Sequence, residues 1–206
     1  FIANKGWCSG MYDRGGVQWL LQAFATEFKK EEPVCLKLKI NPAYNNPNWN
    51  FETEFIKLNL PKNPPQIMVC TEAVVDNELP KFYEGHVFVS PTMAEAFSLP
   101  CLEAMACGIP VITTNFGGQL DYVTNENGWL IESDPYEVIH DYMYEGINWV
   151  KPRIDHLKKV MRQVYENPNE VLAKVDKCKE IAMRYSWKES ARKLLQTIGI
   201  SDGKSN

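Results

Sequence analysis

The chain is predicted to be an α/β protein with a parallel sheet covered by helices on both faces. Short Val- and Ile-rich runs bounded by turn residues alternate with helical patterns as far as about Glu132. Alternation of that kind favours parallel pairing, because parallel strands need crossover connections. A 45% hydrophobic content in 206 residues is enough for one sizeable core with an appended helical part.

The first strand is expected at Phe1–Ala3, followed by Val34–Ile40, Gln66–Cys70, His86–Ser90, Pro110–Thr114 and Gly128–Glu132. Helices are expected at Gly16–Lys30, Asn77–Glu84 and Pro100–Cys107, with a short one near Gln119–Val123. The polar, proline-interrupted run Asn41–Asn50 reads as a surface excursion, and Asp134–Pro152 reads as irregular. Three helices then finish the chain, at about Ile154–Tyr165, Glu170–Tyr185 and Trp187–Ile198, with Ser186 as an N-cap. The organisation expected is one domain: a sheet core over 1–133, a mostly helical part over 134–200 and a disordered tail over 201–206.

Composition narrows the function classes. No apolar run approaches the ~20 residues that span a bilayer. The start lacks both an initiator Met and a signal-peptide pattern, so the chain reads as part of a longer one. Six cysteines form no CxxC pair and no Cys/His cluster with zinc-ligand spacing, which suits reduced thiols in a cytoplasmic protein. Residues 1–149 hold 9 basic and 19 acidic side chains, whereas residues 150–206 hold 13 basic and 7 acidic. The tail cations recur along helical segments, as a solvated helix face or as a surface for anionic lipid headgroups or a partner. Nothing resembles a nucleic-acid module. His86, His140 and His156 lack an acid–base context, and His86 reads as structural.

The chemistry-bearing segment follows the strand ending at Ser90. In an open parallel sheet, ligands bind beyond the carboxyl ends of strands. There Pro91-Thr-Met-Ala-Glu95-Ala-Phe-Ser-Leu99 leads into a helix that starts near Pro100 and ends at Gly108. The N–H groups around Phe97–Cys101 thus suit a bound anion. Glu103 lies five residues beyond Ser98, roughly 7 Å along a helix axis, which is on the order of the offset between a diphosphate and its ribose. A carboxylate at Glu103 suits two ribose hydroxyls, and Glu95, on the loop, suits hydroxyls of a second ring. A nucleotide sugar has that layout.

Ser90-Pro-Thr-Met-Ala-Glu95-Ala-Phe-Ser-Leu-Pro-Cys-Leu-Glu103-Ala-Met-Ala-Cys-Gly-Ile-Pro-Val-Ile-Thr-Thr-Asn resembles the donor-site signature of retaining GT-B glycosyltransferases of the family-4 type. The resemblance extends through Gly117-Gly118-Gln-Leu-Asp-Tyr-Val, Glu126-Asn-Gly-Trp-Leu-Ile, the first-helix segment Arg14–Phe24 and Tyr185-Ser-Trp187. It implies a Rossmann-like fold, the C-terminal half of a GT-B enzyme, with the N-terminal acceptor-binding half absent from this chain. It further implies that Glu103 binds ribose and that Glu95 engages the transferred sugar as the catalytic-site carboxylate. The Ala96, Phe97, Ser98 and Leu99 backbone would touch sugar and phosphates, and the base would rest near Thr71–Val75. The donor would be a nucleoside diphosphate sugar of hexose type. No cofactor or metal is expected, and no Asp-x-Asp occurs. The location expected is cytoplasmic, with a peripheral place at a membrane surface as a further option. A non-catalytic sugar-nucleotide-binding module and a GT-B epimerase are the alternative readings.

Three departures from the family pattern stand out. Ala96 and Ser98 occupy positions where Glu-Gly-Phe-Gly is common, and each adds a Cβ where backbone would approach ligand. Gly15 stands where a phosphate-binding Lys is expected, which leaves Arg14 or Lys5 to supply the cation. Gly117-Gly118 suits either close backbone approach to the sugar or a turn before a short helix.

Overall fold

The structure is a computed structural model that describes residues 1–7, 10–40, 50–72, 74, 77–139 and 144–199. Within these lie β1 (Ile2–Lys5), α1 (Val17–Glu27), β2 (Cys35–Ile40), α2 (Phe51–Lys57), β3 (Gln66–Cys70), α3 (Leu79–Phe82) and β4 (Phe88–Ser90). They continue with α4 (Leu99–Ala106), β5 (Val111–Thr114), β6 (Gly128–Ile131), β7 (Ser133–Glu137), β8 (Asn148–Pro152), α5 (Ile154–Glu166), α6 (Pro168–Arg184) and α7 (Trp187–Thr197). Six strands form one sheet in the order β3-β2-β1-β4-β5-β6, every neighbouring pair parallel. This is the Rossmann-like arrangement expected, and its order reverses between β1 and β4.

Strand alternation feeds two cores. Ala3, Leu36, Leu38, Ile40, Val87, Val89 and Ile112 face a cluster completed by α1 and α5. Ile2, Phe88 and Val111 face the opposite cluster, completed by α3, α4 and α6. A period of two along a strand sends successive side chains to opposite faces, so both faces are apolar and both need a helical cover. In α5 the buried residues are Leu157, Val160, Met161 and Val164, the spacing of one helix face.

Helix ends follow their sequence signals. The Ser186 side chain accepts from the Glu189 N–H, as an N-cap should. After α4, Gly108 (φ 77°) donates to the Met105 carbonyl and Ile109 donates to the Ala104 carbonyl, a Schellman closure. The short helix near Gln119 is a 3₁₀ turn at Gly118–Asp121.

Two elements depart from expectation. Helix α2 is capped by the Asn50 side chain accepting from the Thr53 N–H, carries Glu52 and Glu54 in its first turn, and lays Phe51 and Phe55 on the core. The stretch Asp134–Pro152 is not irregular throughout: β7 and β8 pair as an antiparallel hairpin, with Pro135 opposite Val150 and Pro152 opposite Ser133. Prolines argue against a central strand but are tolerated in a two-stranded ribbon, where each strand has an unpaired edge. The 134–200 part is therefore a hairpin followed by helices. The excursion at 41–49 and the tail 201–206 lie outside the described residues.

Arg162 of α5 joins the end of α1 to the turn after it. Its guanidinium donates to Glu27 and Glu32 at 2.8 and 2.5 Å and stacks 4.4 Å above the Phe28 ring. The Arg162 hydrogen bond, with the Lys29 N–H, lowers the Glu32 carboxyl from 4.5 to about 2. A group depressed on folding contributes stability that is complete above its unfolded value and lost as pH falls through its folded one. Glu32→Gln should therefore flatten the dependence of Tm on pH between about 4.5 and 2 relative to the parent chain. Parallel slopes for the two proteins in that window would contradict this assignment.

Candidate functional site

The loops after β1 and β4 meet at the point where strand order reverses. The Met93 N–H donates to the Arg14 carbonyl at 2.8 Å, and the Thr92 hydroxyl donates to the carbonyls of Arg14 and Ala94 at 2.9 Å each. Gly16 opens α1 with its α-carbon against this loop; a Cβ there would sit 2.0 Å from the Pro91 carbonyl oxygen. On the other side, the Gly118 N–H donates to the Glu95 carbonyl at 3.0 Å. A Cβ on Gly118 would lie 1.7 Å from the Ala96 carbonyl oxygen. The paired glycines thus serve close approach of one protein loop to another.

Ser98 takes a left-handed conformation (φ 63°, ψ 68°) immediately before α4, and its side chain does not cap the helix. A residue with a Cβ is held there at a cost of about 1–2 kcal/mol. This explains in conformational terms why glycine suits the position. The backbone is held by Tyr122, whose buried hydroxyl reaches the carbonyls of Phe97 and Ser98 at 2.6 and 2.7 Å. Burial raises the Tyr122 phenol above its ordinary value, so it remains a donor. The Ser98 hydroxyl donates to Cys101 Sγ at 3.1 Å.

The two carboxylates engage different partners. Lys5, buried at the end of β1, places Nζ 3.1 Å from Glu95 Oε2. Burial of Glu95 opposes ionisation, but Lys5, Arg14 and the Ala96 N–H outweigh it and hold the carboxyl below its ordinary value. Arg14 donates to the Ala94 carbonyl at 3.2 Å and keeps an exposed charge beside the same loop. Glu103, on α4, accepts from Tyr83 Oη at 2.6 Å, and Tyr83 in turn lies 3.5 Å from Asn4 Nδ2. Burial, first, and the Glu103 carboxylate raise the Tyr83 phenol, so it stays protonated.

Lys5, Arg14, Glu95 and Ala96–Leu99 therefore gather in one place, while Glu103 faces the α3 side of the α4 N-terminus. Val75 lies outside the described residues. Its neighbouring loop is tethered by buried Lys39, whose Nζ donates to the Glu72 carbonyl at 3.1 Å. Sequence reasoning missed Tyr83 and Tyr122. Tyr122 belongs to the Gly117–Val123 motif, but its role depends on a contact 24 residues away.

An open cavity of about 460 Å³ adjoins Glu95, lined by Arg14, Ala96, Phe116, Tyr144 and Asn148 among others. A larger apolar cavity of about 700 Å³ lies at the amino ends of the strands, near Cys35, Gly85 and His86. It is the wrong end of a parallel sheet for the chemistry above. Among the described residues, no group of three or more His, Cys, Asp or Glu side chains gathers as a metal site. Nor is any described helix long and apolar enough to cross a membrane.

Tyr122→Phe should lower unfolding free energy by about 1–3 kcal/mol, since it removes the hydroxyl that serves the Phe97 carbonyl, while the Ser98 carbonyl keeps the Cys101 N–H. Urea unfolding of the two proteins measures this, and an unchanged midpoint would contradict the bracing role.

Comparison with known proteins agrees with the fold. The family model for glycosyl transferases group 1 matches residues 4–143. A capsular polysaccharide biosynthesis glycosyltransferase, CapM of Staphylococcus aureus, is 31% identical over 134 residues, 65% of this chain and 33% of that protein. A sucrose synthase of Acidithiobacillus caldus is 29% identical over 115 residues, 55% of this chain and 13% of that protein. The chain thus spans a third or less of these curated relatives. Among solved structures, HepE of Anabaena in complex with UDP-glucose superposes with a TM-score of 0.68 at 16% identity, over 96% of this chain and 48% of that one. The C-terminal domain of LpcC, a glycosyl transferase group 1 family protein from Francisella tularensis, gives 0.62 at 18% identity, over 89% and 84%. On the strength of the family match, which covers most of the chain, the protein belongs to the group 1 glycosyl transferases.

Proposed function

We propose that this chain is the donor-binding half of a retaining glycosyltransferase that takes a hexose from a nucleoside diphosphate sugar. The observation that carries this is the division of the two carboxylates on either side of the α4 N-terminus: Glu95 with Lys5, and Glu103 with Tyr83. A diphosphate at the start of α4 would have N–H groups and the helix dipole before it and the charges of Lys5 and Arg14 beside it. The ribose then falls to Glu103, whose carboxylate is oriented by Tyr83, and the base to the loop that Lys39 tethers. The sugar falls to Glu95 and the backbone of Ala96–Leu99. The structures of HepE in complex with UDP-glucose and with UDP support the ligand class.

In the reaction the bond between the anomeric carbon and the diphosphate oxygen breaks. Negative charge grows on that oxygen, and the acceptor hydroxyl attacks from the same face, passing its proton to the departing diphosphate. Lys5, Arg14 and the helix terminus stabilise that charge without need of a metal ion. Lys5 thereby supplies the cation that Gly15 cannot. The acceptor belongs to an N-terminal half, for which the greater length of the relatives leaves room. The setting is the cytoplasmic side of a membrane, with the exposed Trp187 and Leu194 of cation-rich α7 on the surface that meets it.

Titration calorimetry with UDP, GDP and ADP and their hexose conjugates tests the reading. Glu103→Ala should weaken every nucleotide about 10-fold or more, and Glu95→Ala only the conjugates, each by the worth of hydrogen bonds to a charged group. Equal losses for bare and conjugated nucleotides in both variants would defeat the assignment.

A further inference from the structure

The β7–β8 hairpin has no place in the six-stranded sheet, yet it is fastened to the donor loop. The Val150 N–H donates to the Met93 carbonyl at 3.0 Å. Trp149 is buried in a cluster with Trp19, Met93 and Val138, and Tyr144 packs on Trp149 with ring centroids 5.3 Å apart. At its base, Arg153 pairs with Asp134 at 2.6 Å and with Glu132 at 2.9 Å. The hairpin is thus anchored at both ends, and its free rim, Tyr144, Ile147 and Asn148, closes the cavity of about 460 Å³ whose other wall includes Glu95, Ala96 and Phe116.

We propose that this rim is the sugar-selecting wall of the donor site, with Asn148 hydrogen-bonding a pyranose hydroxyl and Tyr144 and Ile147 shaping the space for the ring. The proposal rests on the donor-site reading above and adds the residues that choose among sugars. A pyranose presents a belt of hydroxyls around apolar C–H faces, so a selective pocket needs a few polar groups set among aromatic and aliphatic ones. Here Glu95 and Arg14 supply charge from one side, Phe116 and Tyr144 supply rings, and Ile147, 49% exposed, supplies aliphatic surface. Asn148 is the side-chain amide on the hairpin side among the described residues that line the cavity. Its amide both donates and accepts, so its hydrogen bond depends on where a hydroxyl points. A group of that kind discriminates epimers, because the wrong one leaves it unpaired.

The test compares Asn148→Ala and Ile147→Trp with the parent chain by calorimetry, using UDP, GDP and ADP and their glucose, galactose and mannose conjugates. Asn148→Ala should leave bare nucleotide affinity within about 2-fold while weakening the preferred conjugate about 10-fold, the scale of one lost hydrogen bond, and narrowing the preference among the three sugars. Ile147→Trp fills the cavity and should exclude the conjugates while sparing the bare nucleotides. Both positions are exposed, and a thermal melt of each variant confirms that it is folded. Unchanged sugar preference in Asn148→Ala, with conjugates still bound by Ile147→Trp, would overturn the proposal and assign the cavity to the acceptor. Failure of the parent chain to bind any of the nucleotides would instead overturn the donor-site reading, and this proposal with it.

Discussion

The segment from Pro91 to Ser98 forms no helix or strand, so its shape has to be imposed by the backbones packed against it. Gly16 admits the Pro91 carbonyl, Gly118 admits the Ala96 carbonyl, and Tyr122 grips the carbonyls of Phe97 and Ser98. Each approach is too close for an added methyl group or depends on a buried hydroxyl, and they come from two parts of the chain, the start of α1 and the 3₁₀ turn that Tyr122 caps. Together they hold Ser98 left-handed, and that conformation turns the chain into α4 and aims the helix N-terminus at the point where strand order reverses. Without this confinement, Glu95 and Glu103 would have no defined relation to each other.

Electrostatics then operate on a fixed frame. The Lys5–Glu95 pair is largely shielded from water, with side-chain exposures of 6% and 20%, and such a pair gains little net stability because desolvation offsets its attraction. What the pair does is keep a cation and a carboxylate together beside a helix end whose N–H groups suit an anion. Tyr83 and Glu103 are the counterpart on the far side, where the phenol donates to the carboxylate and orients it. In the proposed function, that division would give charge neutralisation to one end of the site and hydroxyl recognition to both.

Much of this was legible in the residues. The strand runs were marked by Val and Ile between turn residues, and helix ends by Pro100, Gly108 and Ser186, so the sheet and α4 could be placed closely. Glu95, Glu103 and the start of α4 were marked by spacing and family resemblance. Of the features that were not legible, three depend on contacts distant in sequence. Tyr83 meets Glu103 from 20 residues away, Tyr122 meets Ser98 from 24, and the hairpin reaches Met93 through a backbone bond that leaves no sequence signal. The hairpin was further obscured by Pro135 and Pro152, which weaken a strand pattern. At Ser98 the sequence suggested a crowded ligand pocket; the positive φ adds a backbone reason for the glycine usual at that place.

Amide hydrogen exchange with and without a saturating nucleoside diphosphate sugar tests the location of the site most directly. The account requires protection at the loops after β1 and β4, at the first turn of α4 and at Gly117–Gly118, all on the carboxyl side of the sheet. Protection centred instead on Cys35–Lys37 and Gly85–Val87, around the larger cavity at the opposite end of the strands, would contradict it.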